Sequence, residues 1–285
     1  MGTFSTTIKE HYNNISYTDG GKTYSDVKIF KTNPATESIA AAIYQNGNKQ
    51  MMENTNPSGI NPSDVIAKTN GGAMEYGEHG DAFYGIAYQD GHLYISGYST
   101  NSSDPVFDTL RINYYPSFCV KTDGTATIRW FSSRTSLQTA LPYISTIIAA
   151  SQPLVYTDKS VFEHTLFDQY DGGHQILNPA DLNDTNYHYW DRYCNNTTNS
   201  KSNRTFLGHK PDGSFYMVCV CPARMSLPVG AKLMLDLGCD YAVNLDGSGG
   251  VKMRVASGYT NGFTSGQMTP GGTDWFGEVV CAYLK

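Results

Sequence analysis

Residues 241–254, YAVNLDGSGGVKMR, carry the sharpest chemical signal in the chain. An apolar run ends in one acid, Asp246, with Asn244 before it and Gly247, Ser248, Gly249 and Gly250 after it. A carboxylate at the tip of a buried strand is held rigidly, and glycines beside it let a ligand approach the backbone. Such a site suits chemistry on something small and polar. Asp-Gly is also the commonest short hairpin signal, so this motif alone leaves a plain turn open.

Two more segments add polar groups. Asn70-Gly71-Gly72 follows the strand-like VIAK and offers a side-chain amide and backbone N–H groups to an oxygen-rich ligand. An ordinary Asn-Gly turn is the other reading. In NRTFLG, Arg204 and Thr205 open a strand, and arginine suits forked recognition of phosphate or carboxylate. A surface arginine is the commoner fate of that residue type. Just past Gly72, MEYGEHGD offers Glu75 and Glu78 as a second carboxylate and His79 as an acid or base near neutral pH. Glu75, His79 and Asp81 also read as metal ligands, but their spacing matches no established site. No histidine pair has the spacing of a zinc protease and no CxxC pair exists. No cofactor is expected, and a divalent metal stays open.

The elements that must hold these residues are mostly strands. Asp90-Gly91, Asp123-Gly124 and Asp212-Gly213 each sit between strand-like runs and predict three hairpins, hence large antiparallel sheets. DVKIFKT and the run ending in VIAK are further strands. Residues 36–44 read as strand or short helix. Helical signals are few. Residues 133–150 show apolar residues near helical spacing, interrupted by Pro142. Residues 226–237 are better: Ser226 as cap, Pro228 in the first turn, Val229, Leu233, Met234 and Leu237 on one face, and Gly238 as terminator. Residues 168–202 are polar and aromatic without a period. A long irregular insertion of this kind is usually functional. The expectation is an α+β fold with large, mainly antiparallel, curved sheets and a few flanking helices. It is read as a single domain over 1–285, with its motifs in about 65–285.

Composition narrows the function. Net charge is −6 and no basic run exists, which argues against a nucleic-acid duplex as partner. With 21 tyrosines, 28 glycines and only 16 % charged residues, the surface is polar more than charged and suits carbohydrate contact. No apolar stretch approaches a bilayer span. The first residues lack the basic and apolar regions of a signal peptide. Met1-Gly2 with Thr6 matches the loose pattern of a myristoylation start, a match short enough to arise by chance. Six cysteines lie largely in apolar runs and read as buried free thiols from a reducing interior, with disulfides the less favoured reading. Cys219 and Cys221 alternate on an apparent strand and share a face. The expected location is the cytoplasm of a bacterial host or a phage virion.

The order of the motifs carries more than any one of them. Asn70-Gly71-Gly72, then Gln152-Pro153-Leu154-Val155, then Arg204-Thr205 with Gly208, then Asp212-Gly213, a helix, and Asn244-Leu245-Asp246-Gly247 resemble the phosphodiester glycosidase family. That is the family related to the lysosomal uncovering enzyme, which removes N-acetylglucosamine from its phosphodiester link to mannose phosphate. The chain departs from it in reading DGSGG where the family usually reads DGGGS, and Ala73-Met74 where aromatic residues usually follow NGG.

The resemblance implies cleavage of a sugar C1–O bond whose leaving group is a phosphate ester. Ordinary glycosidases need a second carboxylate to protonate a poor leaving group. A phosphate monoester already leaves as a stable anion, so that acid is less necessary. On this reading Arg204 holds the phosphate with Thr205 beside it. Asp246 lies near the anomeric carbon as base, nucleophile or charge stabiliser, with Glu75 or Glu78 as a second carboxylate. Asn70 and the Gly71 and Gly72 amides hold sugar or phosphate oxygens. Asn244, Gly247 and Ser248 complete the binding set. Two other roles compete: a phage tail component that binds or trims cell-surface glycopolymers, and a protein that cleaves or sequesters a nucleotide-like phosphodiester. Residues 168–202, with Tyr187, Tyr189, Trp190 and Tyr193, are expected to rim the site.

Overall fold

The computed structural model describes residues 1–43, 50–72, 85–95, 116–131, 133–161, 201–247, 250–263, 275–276 and 278–285. Among them lie nineteen strands, numbered β1 to β19 in chain order, and two α-helices. Every pairing of these strands is antiparallel.

The largest sheet runs β1 (Thr3–Phe4), β2 (His11–Asp19), β3 (Lys22–Lys31), β15 (Phe215–Met225), β14 (Ser202–His209), β16 (Tyr241–Asn244), β12 (Gln152–Tyr156), β13 (Lys159–Ser160). A second runs β17 (Met253–Val255), β6 (Val65–Asn70), β19 (Glu278–Leu284), β4 (Glu37–Ile43). A third runs β10 (Ala126–Arg129), β9 (Ser117–Lys121), β11 (Ile144–Ala149), β7 (Ile86–Gln89), β8 (His92–Ile95). The short pair β18 (Trp275–Phe276) and β5 (Gln50–Met51) stands apart. The sheets curl around a common apolar core that draws Phe30 from β3, Ile66 from β6, Phe118 from β9, Met217 from β15, Val243 from β16 and Val280 from β19.

All three Asp-Gly hairpins form. At Asp90-Gly91 both central residues take positive φ, 49° and 77°, as the mirror-image two-residue turn requires. At Gly124 and Gly213 only the glycine is left-handed, and the loop is three residues long, closed by Lys121 N–H to Thr125 O and by Lys210 N–H to Ser214 O. A fourth hairpin, at Gly20-Gly21, joins β2 to β3.

Where residues 36–44 left strand or short helix open, Glu37–Ile43 form strand β4, buried along nearly its whole length. Residues 133–150 depart from the expected interrupted helix. Helix α1 (Arg134–Ala140) starts with a capping box between Ser133 and Ser136. A 3-10 turn over Leu141–Tyr143 then ends it, and Ile144 opens β11. Pro142 cannot continue the helix, and the β-branched run ISTII pairs with β9 on one side and β7 on the other. Helix α2 (Leu227–Asp236) matches residues 226–237, except that the Ser226 side chain makes no capping bond. Gly238, at φ +86°, terminates it. Leu227, Ala231, Leu233 and Met234 pack on the outer face of the large sheet against Phe206 and Val218. This approach is close: a Cβ on Gly208 of β14 would meet Met234 Cε at 2.5 Å and Cys239 Sγ at 2.7 Å.

The five cysteines among the described residues are free and buried. Cys219 and Cys221 share one cluster, and burial pushes the Cys219 thiol up to about 11. Among the described residues no helix is long and apolar enough to cross a membrane. The polar stretch, as far as residue 200, lies outside the described residues, and with it Tyr187, Tyr189, Trp190 and Tyr193.

Candidate functional site at the junction of three sheets

Strand β6 ends at Asn70 in the four-stranded sheet, and β16 ends at Asn244 in the eight-stranded one. Beyond these ends the two chains meet. Leu245 N–H donates to Thr205 O at 2.9 Å, keeping company with β14 one residue past β16. Asp246 N–H then turns to the other sheet and donates to Gly71 O at 2.9 Å. The chain continues to β17, which pairs with β6. Asp246-Gly247 is therefore a crossing between sheets and not a hairpin turn. Gly247 is required by lack of space: a Cβ there would lie 2.8 Å from Asn203 O and 3.7 Å from Arg204 Nη1.

Asn70 fastens this junction. Its Nδ2 donates to Asp246 O at 3.0 Å, and its Oδ1 accepts from Thr205 Oγ1 at 2.7 Å and from Lys252 N–H at 3.1 Å. Asn70 and Thr205 are fully buried. Both residues, expected at the ligand, are turned into the fold in this structure. Their polar atoms bind one another and the Asp246 backbone, because a buried amide left unpaired would be costly.

The Gly71 and Gly72 amides are likewise engaged inside the fold. Gly71 N–H donates to Glu278 O at 3.0 Å and Gly72 N–H to Glu278 Oε2 at 2.9 Å. The other carboxylate oxygen, Oε1, accepts from Ala149 N–H at 3.0 Å, where β11 ends. Glu278 is 1 % exposed, and burial lifts its carboxyl to about 8 against the opposing pull of the two N–H donors. Sequence reasoning missed Glu278. The available signal was an acid heading the apolar run EVVCAYL.

Asp246 itself is partly buried. Burial raises its carboxyl to about 6, while Gly247 N–H, 2.8 Å from Oδ1, pulls the other way. Arg204 on β14 is 7 % exposed and donates from Nε to Met225 O at 3.2 Å. Its guanidinium runs alongside Gly247, next in sequence to Asp246. Asn244 Nδ2 donates to Gln152 Oε1 and to Leu245 O, both at 2.7 Å, so this residue also serves the junction. Asn70, Arg204, Thr205, Asn244, Asp246 and Gly247 are thus brought together from three strand ends. Glu75, Glu78, His79 and Ser248 lie outside the described residues. Among the described residues no group of three or more His, Cys, Asp and Glu side chains is arranged to hold a metal ion.

The model of the phosphodiester glycosidase family matches residues 63–274. The chain belongs to the phosphodiester glycosidases. The matched residues contain Asn70, Arg204 and Asp246, and Glu278 lies beyond them. Among solved structures, the catalytic domain of zebrafish N-acetylglucosamine-1-phosphodiester alpha-N-acetylglucosaminidase, auto-inhibited by its pro-peptide, is similar with a TM-score of 0.61 and 16 % identity. The alignment covers 100 % of this chain and 88 % of the zebrafish chain. A hypothetical protein from Synechocystis is similar with a TM-score of 0.56 and 10 % identity, over 96 % of this chain and 62 % of that one. At these identities the likeness is one of fold. No curated protein sequence matches the chain.

Proposed function

We propose that the protein hydrolyses a glycosyl phosphodiester, breaking the bond between the anomeric carbon and the phosphate oxygen. The observation that carries this reading is the placement of one partly buried carboxyl, Asp246, beside the glycine that the Arg204 guanidinium flanks. The family match supports it, and the name of the zebrafish protein suggests an N-acetylglucosamine-1-phosphodiester as the first substrate to try.

In this mechanism Arg204 binds the phosphate, for which its forked donors are suited. As the C1–O bond breaks, its electron pair leaves with the phosphate monoester. Water adds to the anomeric carbon and gives its proton to the Asp246 carboxylate, which also stabilises positive charge developing at that carbon. The base must be ionised, so turnover rises with pH through about 6, the value to which burial lifts Asp246. The test is sugar release from N-acetylglucosamine-1-phosphodiester compounds by the wild type and by Asp246→Asn. The substitution should abolish release while the protein stays folded. A folded Asp246→Asn variant with the wild-type rate overturns the assignment, and binding of the diester without turnover in the wild type points to sequestration.

A further inference from the structure

We infer that Glu278 is a positioning residue for Asp246, acting through the Gly71-Gly72 backbone. The inference rests on the reading that Asp246 acts in the reaction.

Glu278 is where the three large sheets are tied. It opens β19 of the four-stranded sheet, its Oε1 takes the Ala149 N–H from the five-stranded sheet, and its backbone O and Oε2 take the N–H groups of Gly71 and Gly72. Gly71 O in turn receives the Asp246 N–H arriving from the eight-stranded sheet. One peptide unit therefore separates the Glu278 clamp from the backbone of Asp246.

The two glycines fit this clamp and not a ligand. A Cβ on Gly71 would lie 2.5 Å from Glu278 Oε2, 2.7 Å from its Cγ and 2.8 Å from its Cβ. A Cβ on Gly72 would lie 2.9 Å from Ala149 O. The Gly-Gly pair thus leaves room for the buried glutamate, and the glutamate holds both glycine amides. Filling the same space with an apolar side chain would strand the Gly72 and Ala149 N–H groups without acceptors. A carboxyl group with both oxygens engaged is directional, and it fixes the peptide plane from which Asp246 hangs. Small displacements of a reacting group lower the rate steeply, about a hundredfold for 1 Å.

The experiment compares Glu278→Ala and Glu278→Gln with the wild type. Turnover of the glycosyl phosphodiester is measured together with amide hydrogen exchange. The Ala variant should lower kcat by about ten- to a hundredfold with KM nearly unchanged. Exchange should speed up at Gly71, Gly72, Ala149 and Asp246 and stay slow at core amides such as Val218. The Gln variant keeps one acceptor and should recover part of kcat. It also serves if the Ala variant does not fold. Faster exchange at Gly72 with unchanged kcat overturns the inference, as does a loss of protection spread evenly over the fold. If the wild type turns over no glycosyl phosphodiester, the proposed function fails. The Asp246 amide then decides the clamp alone: unchanged exchange in Glu278→Gln overturns it, and faster exchange confined to the junction upholds it.

Discussion

Replacing Glu278 by Gln should change stability in a way that depends on pH. Burial raises this carboxyl from 4.5 to about 8, so the folded protein holds the proton more tightly than the unfolded chain does. Stability from this group is fully present below pH 4.5 and is lost as pH rises through about 8. One proton gives a slope of up to about 1.4 kcal/mol per pH unit, and between pH 6 and 8 the loss amounts to about 2 kcal/mol. Glutamine does not titrate, so its variant escapes this loss. It has its own cost. The amide nitrogen cannot accept, and either Gly72 N–H or Ala149 N–H is left without a partner, at about 1–3 kcal/mol. At pH 6 the variant should therefore be less stable than the wild type, and by pH 8 the gap should close or reverse. Asp246 titrates in both proteins and cancels from the difference. Urea unfolding at pH 6, 7 and 8, at constant ionic strength, measures it. Two stability curves that stay parallel over this range would refute the buried-charge reasoning.

Arg204→Ala should weaken binding of a glycosyl phosphodiester by about ten- to a hundredfold and leave the corresponding neutral sugar unaffected, as read by calorimetry. An equal loss for both ligands would mean that Arg204 is structural, as in its bond to Met225 O. Gly71→Ala drives a Cβ into Glu278 and should cost about 1–3 kcal/mol in urea unfolding together with most of the turnover. Wild-type stability in that variant would contradict the close approach of the two residues.

Much of this molecule is local in origin and is readable along the chain. Asp-Gly turns close their hairpins because the residues that adopt positive φ sit in the turn itself. Helix α2 is legible from its proline, apolar face and terminal glycine, all within a dozen residues. The order of Asn70-Gly71-Gly72, Arg204-Thr205 and Asn244-Leu245-Asp246-Gly247 likewise points to the family without any coordinates.

What those motif residues touch was decided elsewhere. Asn70 bonds to Thr205, 135 residues away, and to Asp246, 176 residues away, and Gly72 bonds to Glu278 across 206 residues. Nothing within a local window distinguishes an amide that meets a ligand from one that meets a buried glutamate. The same limit hid the strand after Pro142, whose isoleucines are apolar at either period until β9 and β7 pair with them. Residue type and short-range spacing determine which groups have chemistry to offer. Only the packing of three sheets against one another, with every buried N–H seeking an acceptor, determines which of those groups are taken up inside the fold.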